Sequence, residues 1–279
     1  MRHLIVTPLY NEEKYLNIFI TSIVKQTKQP YQLVMVDDNS SDESADIIKK
    51  FTQKYHWIKY VFHPSDIGKS QGRPVINAFN FGILQCNINE ADLISKIDAD
   101  LELPYDYFEQ IELAFLRNSK LGITGGVIKE QKNGDWQKIN QASYHIRGAL
   151  KTYHINCFKG IGGLMPVLGW DGLDEMKALY MGWETKIIDT GVKHFRPAAS
   201  DYDAVKLNYD FGVSNYQNGG NLLLAVARSI FKIKKKPYFK VGASFLKGYL
   251  YALQNKMPKN VDEDLAKFIN KFHLKRLLY

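Results

Sequence analysis

Short apolar runs that end abruptly in carboxylate-rich loops constrain this chain more than any other feature. Leu4-Ile5-Val6 leads through Thr7-Pro8-Leu9 to Tyr10-Asn11-Glu12-Glu13. Leu33-Val34-Met35-Val36 leads straight to Asp37-Asp38-Asn39-Ser40-Ser41-Asp42, and Leu93-Ile94 leads through Ser95-Lys96-Ile97 to Asp98-Ala99-Asp100. Runs this short, rich in β-branched residues and closed by turn formers, read as strands. Helical patterns lie between them, such as Tyr15, Leu16, Phe19, Ile20 and Ile23. Strands alternating with helices at this spacing build a parallel sheet with helices on both faces. In open sheets of that kind ligands sit outside the carboxyl ends of the strands, where these acidic loops fall.

The same periodicities predict strands over 3–9, 32–37, 58–62, 92–97 and 121–129, and helices over 12–26, from Ser41 to about Tyr55, over 71–85, and from Pro104 to about Arg117. Ser or Asp of Ser41-Asp42-Glu43-Ser44 is the expected cap of the second helix. From about residue 200 the pattern weakens and becomes mostly helical. The expected organisation is one α/β domain over 1–200, with halves of about 1–100 and 101–200 that the resemblance given below makes the nucleotide-binding and acceptor-side halves, followed by a helical, basic and aromatic extension over 201–279.

With 45% hydrophobic and 24% charged residues, the 279-residue chain can bury a sizeable core. Its two cysteines, Cys86 and Cys157, form no metal-ligand spacing and no disulfide scaffold, which fits a reducing cytoplasm. No signal peptide and no apolar stretch long enough to span a bilayer are visible. The net charge of +8 is concentrated partly in Lys232, Lys234, Lys235, Lys236, Lys240 and Lys247, interleaved with Phe231, Tyr238, Phe239, Phe245, Tyr249 and Tyr251. Such interleaving serves an anionic membrane surface or nucleic acid, or is a solvated helical face. The expectation taken here is a cytoplasmic protein, peripheral on the inner face of the plasma membrane, with no nucleic-acid partner.

Side chains alternate along a strand, so Asp98 and Asp100 point the same way at a strand end. Like charges that close call for a cation between them. A divalent metal carrying a phosphate-rich ligand answers that need, since hard cations prefer oxygen.

Taken in order, Thr7-Pro8-Leu9-Tyr10-Asn11-Glu12-Glu13, Val36-Asp37-Asp38-Asn39-Ser40-Ser41-Asp42, Gly68-Lys69, Asn80-Phe81-Gly82 and Asp98-Ala99-Asp100 resemble a family 2 glycosyltransferase of GT-A fold. A second block continues the likeness: Cys157 to Leu164, Gly169-Trp170-Asp171-Gly172-Leu173-Asp174-Glu175, and Gly182-Trp183-Glu184-Thr185. The resemblance covers roughly residues 3–196. It implies inverting transfer of a sugar from a nucleotide diphosphosugar, most commonly a UDP-sugar, to a hydroxyl of a glycan or lipid-linked acceptor in cell-surface polysaccharide or glycolipid synthesis.

That likeness also implies roles. Asp100 would bind Mg²⁺ or Mn²⁺, and Asp98 would reach the ribose or share the metal. Asp38 would contact the base or ribose. Pro8, Tyr10 and Glu12 would form the other wall of the nucleotide pocket, with Tyr10 either stacked on the base or packed in its loop. Asp66 would contact the base, and Lys69 would meet a phosphate or be solvated at its loop tip; Arg73, near the start of the third helix, could likewise be simply solvated. His194 would approach the metal or diphosphate, a competent ligand for Mn²⁺ and a poorer one for Mg²⁺, and Arg196 could pair with phosphate bidentately. His145 and Arg147 precede the acceptor-side block, where Arg147 is a phosphate or acceptor contact.

Inversion needs a general base for the acceptor hydroxyl. Counting back from Gly182-Trp183, Asp171 falls on the family's catalytic aspartate, and Asp174 one turn later competes for the role. Trp170 stands where the family commonly has glutamate, which leaves open a degenerate, non-catalytic module that binds sugar nucleotide or membrane lipid. A nucleotidyltransferase would want a glycine-rich basic loop after the first strand; Pro8-Leu9-Tyr10-Asn11-Glu12-Glu13 is acidic and lacks glycine. Processive synthesis is not expected, because the membrane helices and the Gln-x-x-Arg-Trp signature of polymerising synthases are missing.

Overall fold

A computed structural model describes every residue except 66–72, 133, 197–202, 235 and 279, and the side chains of 73, 277 and 278. It divides into two compact units: Met1–Pro166 with Met181–Ala198, and Val167–Tyr180 with Ala199–Tyr279. This differs from a single boundary at residue 200, because Val167–Tyr180 groups with the C-terminal helices.

The first unit is built on strands β1 (His3–Leu9), β2 (Gln32–Asp37), β3 (Ile58–Phe62), β4 (Leu93–Ile97), β5 (Leu101–Glu102), β6 (Leu121–Lys132), β7 (Asp135–Lys138), β8 (Leu150–His154) and β9 (Glu184–His194). Their order is β3-β2-β1-β4-β8-β6-β9-β5, with β7 on β6. The first four strands are mutually parallel. β8 then inserts antiparallel between β4 and β6, and β6 pairs parallel with β9. The sheet is therefore mostly parallel, as expected, with β5, β7 and β8 running against the rest.

Helices α1 (Glu13–Val24), α2 (Ser44–Lys54), α3 (Arg73–Leu84), α4 (Tyr107–Arg117) and α5 (Ile155–Gly160) cover it. The apolar stripe of α1, Leu16, Phe19, Ile20 and Ile23, is buried with Ile5, Leu33 and Met35 of the sheet, as its helical spacing requires. α3 approaches so closely that a Cβ at Gly82 would lie 2.5 Å from Val36 Cγ2 and 2.7 Å from Val6 Cγ1. Glycine there lets the helix touch β1 and β2.

Three expectations change. The helix predicted from Pro104 begins at Tyr107. The strand predicted over 121–129 runs on to Lys132 and turns back as β7. β8 and β5 had no periodic signal: β8 carries the buried Lys151 and Thr152 inside the sheet, and β5 is only two residues long. The predicted cap of α2 is indirect. Its N-cap residue Glu43 makes no side-chain cap bond, and Asp42 Oδ1 accepts from Ser44 N at 2.9 Å instead.

In the second unit, α6 (Trp170–Tyr180), α7 (Ala204–Gln217), α8 (Leu222–Lys232), α9 (Lys240–Gln254) and α10 (Glu263–Leu278) form an all-helical body. Tyr216, Ala225, Phe245, Tyr249 and Ala252 make its core. α7 and α9 cross backbone to backbone: Cβ atoms at Gly212 and Gly248 would fall 1.9 Å from Phe245 O and 2.0 Å from Tyr209 O. Ser214 Oγ and Asn218 Nδ2 donate to Leu168 O at 2.6 and 3.1 Å, which ties the approach to α6 onto α7. Among the described residues no helix is long and apolar enough to cross a membrane.

Candidate active site

The chain leaves β1 toward β2 and β3 on one side, while β4 pairs on the other side of β1. A crevice opens where strand order reverses in this way. Pairing of β1 with β4 stops at Val6↔Lys96, but β1 continues to Leu9 beside Asp37. Pro8 is tolerated in this central strand because its missing N–H faces a position beyond the β4 ladder.

The loops after β1 and β2 are laced together by their polar residues. Asn11 N donates to Ser40 Oγ at 3.0 Å, and Ser41 N donates to Asn11 Oδ1 at 2.8 Å. Glu12 N donates to Ser44 Oγ at 2.9 Å and Glu13 N to Asp42 Oδ2 at 3.0 Å. Asn11 and Asn39 take left-handed backbone conformations (φ 53° and 64°), which asparagine accepts more readily than most residues. Much of both acidic motifs is thus spent on holding the loops in place.

Asp37 is structural: it accepts from Ser40 N at 2.9 Å and from Tyr60 OH at 2.8 Å. Asp38 is buried, with Oδ1 2.6 Å from Nδ1 of His63, whose ring packs on Phe81 at 4.5 Å. Of the residues expected to wall the nucleotide, Pro8 is buried in β1, Tyr10 is exposed, and Glu12 is buried against Arg196. Asp66 and Lys69 lie outside the described residues, as does the side chain of Arg73.

Beyond β4, the two aspartates meet different cations. Asp98 pairs with the buried ammonium of Lys96, which also donates to Gly148 O at 3.0 Å. Burial, helped by the charge of Asp100, raises the Asp98 carboxyl above its ordinary value against the pull of Lys96. Asp100 Oδ2 lies 3.4 Å from His194 Nε2 and 3.4 Å from Arg196 Nε. Burial opposes its ionisation, but His194 and Arg196 outweigh that and hold the Asp100 carboxyl low.

β5 delivers this contact, because Leu101 pairs with His194 across the β5–β9 ladder. The imidazole is buried; its Nδ1 stands 3.7 Å from Glu130 Oε1 and makes no hydrogen bond among the described residues. Burial disfavours the imidazolium, but Asp100, Asp98 and Glu130 together raise its pKa above the ordinary value. Arg196 Nη2 pairs with Glu12, so one guanidinium bridges the first acidic motif and Asp100.

Among the described residues no three His, Cys, Asp or Glu side chains form a ready metal cage. Asp100 and His194 are nonetheless a suitable pair of donors. Ions of this class are commonly bound through one or two protein ligands, with waters and substrate phosphates completing the shell. Their 3.4 Å separation is near the roughly 3 Å between adjacent ligands of an octahedral Mg²⁺.

Asp171 and Asp174 belong to the other unit, on α6. Asp171 is half-buried in the first turn; Asp174 is 3% exposed and accepts from Glu175 N at 2.6 Å. Trp170, in the place of the family glutamate, is buried. His145 and Arg147 are half-buried in the loop before β8, where Leu150 N donates to Arg147 O at 3.0 Å.

Sequence reasoning passed over Lys96, His63 and Glu130. A lysine inside an apolar strand, on the face of Asp98 two residues later, was the available signal for Lys96. Nothing local marks Glu130, which reaches His194 only through the β6–β9 pairing.

Residues 4–167 match the family described as Glycosyl transferase family 2. The chain belongs to that family. The family 2 chain is 28% identical over 199 residues to the poly-beta-1,6-N-acetyl-D-glucosamine synthase of Staphylococcus epidermidis, a match covering 66% of this chain and 46% of the relative. It spans less than half the length of the curated relatives it matches.

Its fold is that of GT-A glycosyltransferases. S. aureus TarS 1-349 in complex with UDP-GlcNAc superposes with a TM-score of 0.59 at 17% identity, over 92% of this chain and 76% of that one. The mannosyltransferase PcManGT from Pyrobaculum calidifontis, in complex with GDP-Man and Mn2+, gives 0.56 at 14% identity, over 100% and 81%.

Proposed function

We propose that this family 2 chain moves a sugar from a nucleotide diphosphosugar, a UDP-sugar in the first instance, to a hydroxyl of a glycan or lipid-linked acceptor, with inversion. The observation that carries this reading is the convergence of Asp98, Asp100, His194 and Arg196 beyond the carboxyl end of β4, beside the β1–β4 switch point. A uridine donor is supported by the UDP-GlcNAc held by the TarS fold neighbour, and a surface-polysaccharide product by the name of the S. epidermidis relative. The GDP-Man of the mannosyltransferase keeps a guanosine donor as the alternative to test.

In this reading Asp38 holds the nucleoside, with His63 orienting its carboxylate, and Tyr10 offers the exposed ring at the same end of the sheet. Asp100 and His194 would hold the metal, with Asp98 beside them reaching the ribose; Mg²⁺ or Mn²⁺, when bound, would supply charge neutralisation for the diphosphate. Arg196 is held charged by Glu12 and Asp100 and turns to the diphosphate when the donor enters. Asp171 takes the proton from the attacking hydroxyl. It is preferred to Asp174 because a base must be reached by its substrate, and Asp174 is the more deeply buried.

Asp171→Asn tests the assignment. Transfer is expected to fall at least a thousandfold, with nucleotide affinity measured by calorimetry within about twofold of wild type. Collapse of nucleotide binding would remove Asp171 from the role of base. A second reading, a sugar-nucleotide binding module without catalysis, is favoured by Trp170 alone. Donor binding by the wild type, with no transfer to any acceptor extract, would support it.

A further inference from the structure

Positive charge and exposed apolar surface coincide in one stretch of the helical unit. Residues 211–261 contain nine of the 37 Lys and Arg and none of the 29 Asp and Glu. The remainder of the chain, 28 basic against 29 acidic residues, is close to neutral, so the whole excess of +8 comes from this stretch.

Part of that charge is used internally. Lys232 donates to Asn208 Oδ1 at 2.7 Å and lies over the rings of Phe211 and Phe245. Lys259 donates to Tyr216 O at 2.8 Å and covers that ring. Lys234, Lys236, Lys240 and Lys247 are exposed.

The apolar part is α8. Its buried residues are Leu224, Ala225 and Ser229. At about 100° per residue, Leu222, Leu223, Val226 and Ile230 occupy one arc of roughly 100° on the other side, and all four are exposed. A helix apolar on both sides has a second apolar surface to bury. Phe231, still on α8 but off that arc, is 61% exposed, and beyond the helix end Tyr238 and Phe239 (70% exposed) are exposed as well. Phe239 sits at φ 61°, a conformation unfavourable for a bulky side chain, and its N–H donates to Ile233 O at 3.2 Å. The turn thus spends backbone strain while presenting an aromatic ring to the outside.

Lysines alone would suit any polyanion. Aliphatic and aromatic side chains among them suit the boundary between lipid headgroups and acyl chains, where apolar burial and attraction to anionic lipid act together. We propose that α8 and the turn into α9 dock on an anionic membrane surface. Val226, Ile230 and Phe239 enter the headgroup–acyl boundary, and Lys234, Lys236 and Lys240 face lipid phosphates. This stands independently of the transfer reaction.

Flotation of the full chain with vesicles tests it. Binding is expected to phosphatidylglycerol–phosphatidylcholine vesicles, to be at least about tenfold weaker to pure phosphatidylcholine, and to weaken as salt rises. Lys234→Gln with Lys236→Gln should cost about twenty-fivefold in partition, at roughly fivefold per lysine. Ile230→Ser with Phe239→Ser should abolish flotation, with circular dichroism and nucleotide-induced thermal shift unchanged. Equal binding to both vesicle types, or none, overturns the proposal. So does a single-stranded oligonucleotide that outcompetes vesicles and still binds the serine variant, which would make the face a polyanion site. A dimer by light scattering that the serine variant dissolves would overturn it too, making α8 a self-association face.

Discussion

Replacing Glu12 by glutamine separates the charge of this side chain from its shape. Glu12 is 8% exposed. Burial pushes its carboxyl from 4.5 up to about 7; Arg196 pulls it down, and the charges of Asp100 and Asp98 add to the rise. A carboxyl raised in the folded state binds more protons there than in the unfolded chain between those two values. Stability is therefore fully present below about pH 4.5 and is lost as pH climbs through about 7. The whole interval corresponds to about 3 kcal/mol, of which about 2 kcal/mol falls between about pH 5.5 and about pH 8.5. Urea denaturation of wild type and Glu12→Gln at those two pH values measures it. Wild type should lose about 2 kcal/mol more than the variant on going to the higher pH, since only wild type titrates at this site. Parallel changes in the two proteins would refute the argument and would mean that the Arg196 ion pair outweighs burial and keeps Glu12 ionised across this pH range.

Gly82→Ala would drive a methyl group into Val36 and Val6 and should destabilise by about 1–3 kcal/mol in a urea titration, with an unchanged slope if the sheet stays intact. Lys96→Met removes the ammonium beside Asp98 and should cost about 2–3 kcal/mol, below the range for a fully buried pair because the Asp98 side chain is 30% exposed. Adding Asp98→Asn to that variant should recover most of the loss by the same assay, since no unpaired carboxylate then remains.

Much of the fold was legible because its signals are local. The apolar runs at Leu4, Leu33 and Leu93 became β1, β2 and β4, and the stripe from Leu16 to Ile23 became the buried face of α1. Burial on one or both faces leaves its period in the sequence whatever the partner. β8 was illegible for the same reason in reverse. Its Lys151 and Thr152 are polar, yet they are buried beside Lys96 and Ser95, their register partners in β4. The alternation that marks an amphipathic strand does not appear there. β5 carries two residues and no pattern, yet it brings His194 to Asp100.

The candidate site divides along the same line. Residue types and order alone made Asp38, Asp98 and Asp100 strand-end carboxylates, because a chain that stops an apolar strand at an aspartate must put that aspartate at the sheet edge. The companions of those carboxylates were decided by tertiary structure. Arg196 meets Glu12 across 184 residues, and His194 reaches Asp100 through the β5–β9 pairing. Sequence periodicity reports whether a side chain faces the core, and a strand end reports where a loop begins. Neither carries the register of distant strands, and in this protein that register sets which buried charge neutralises which.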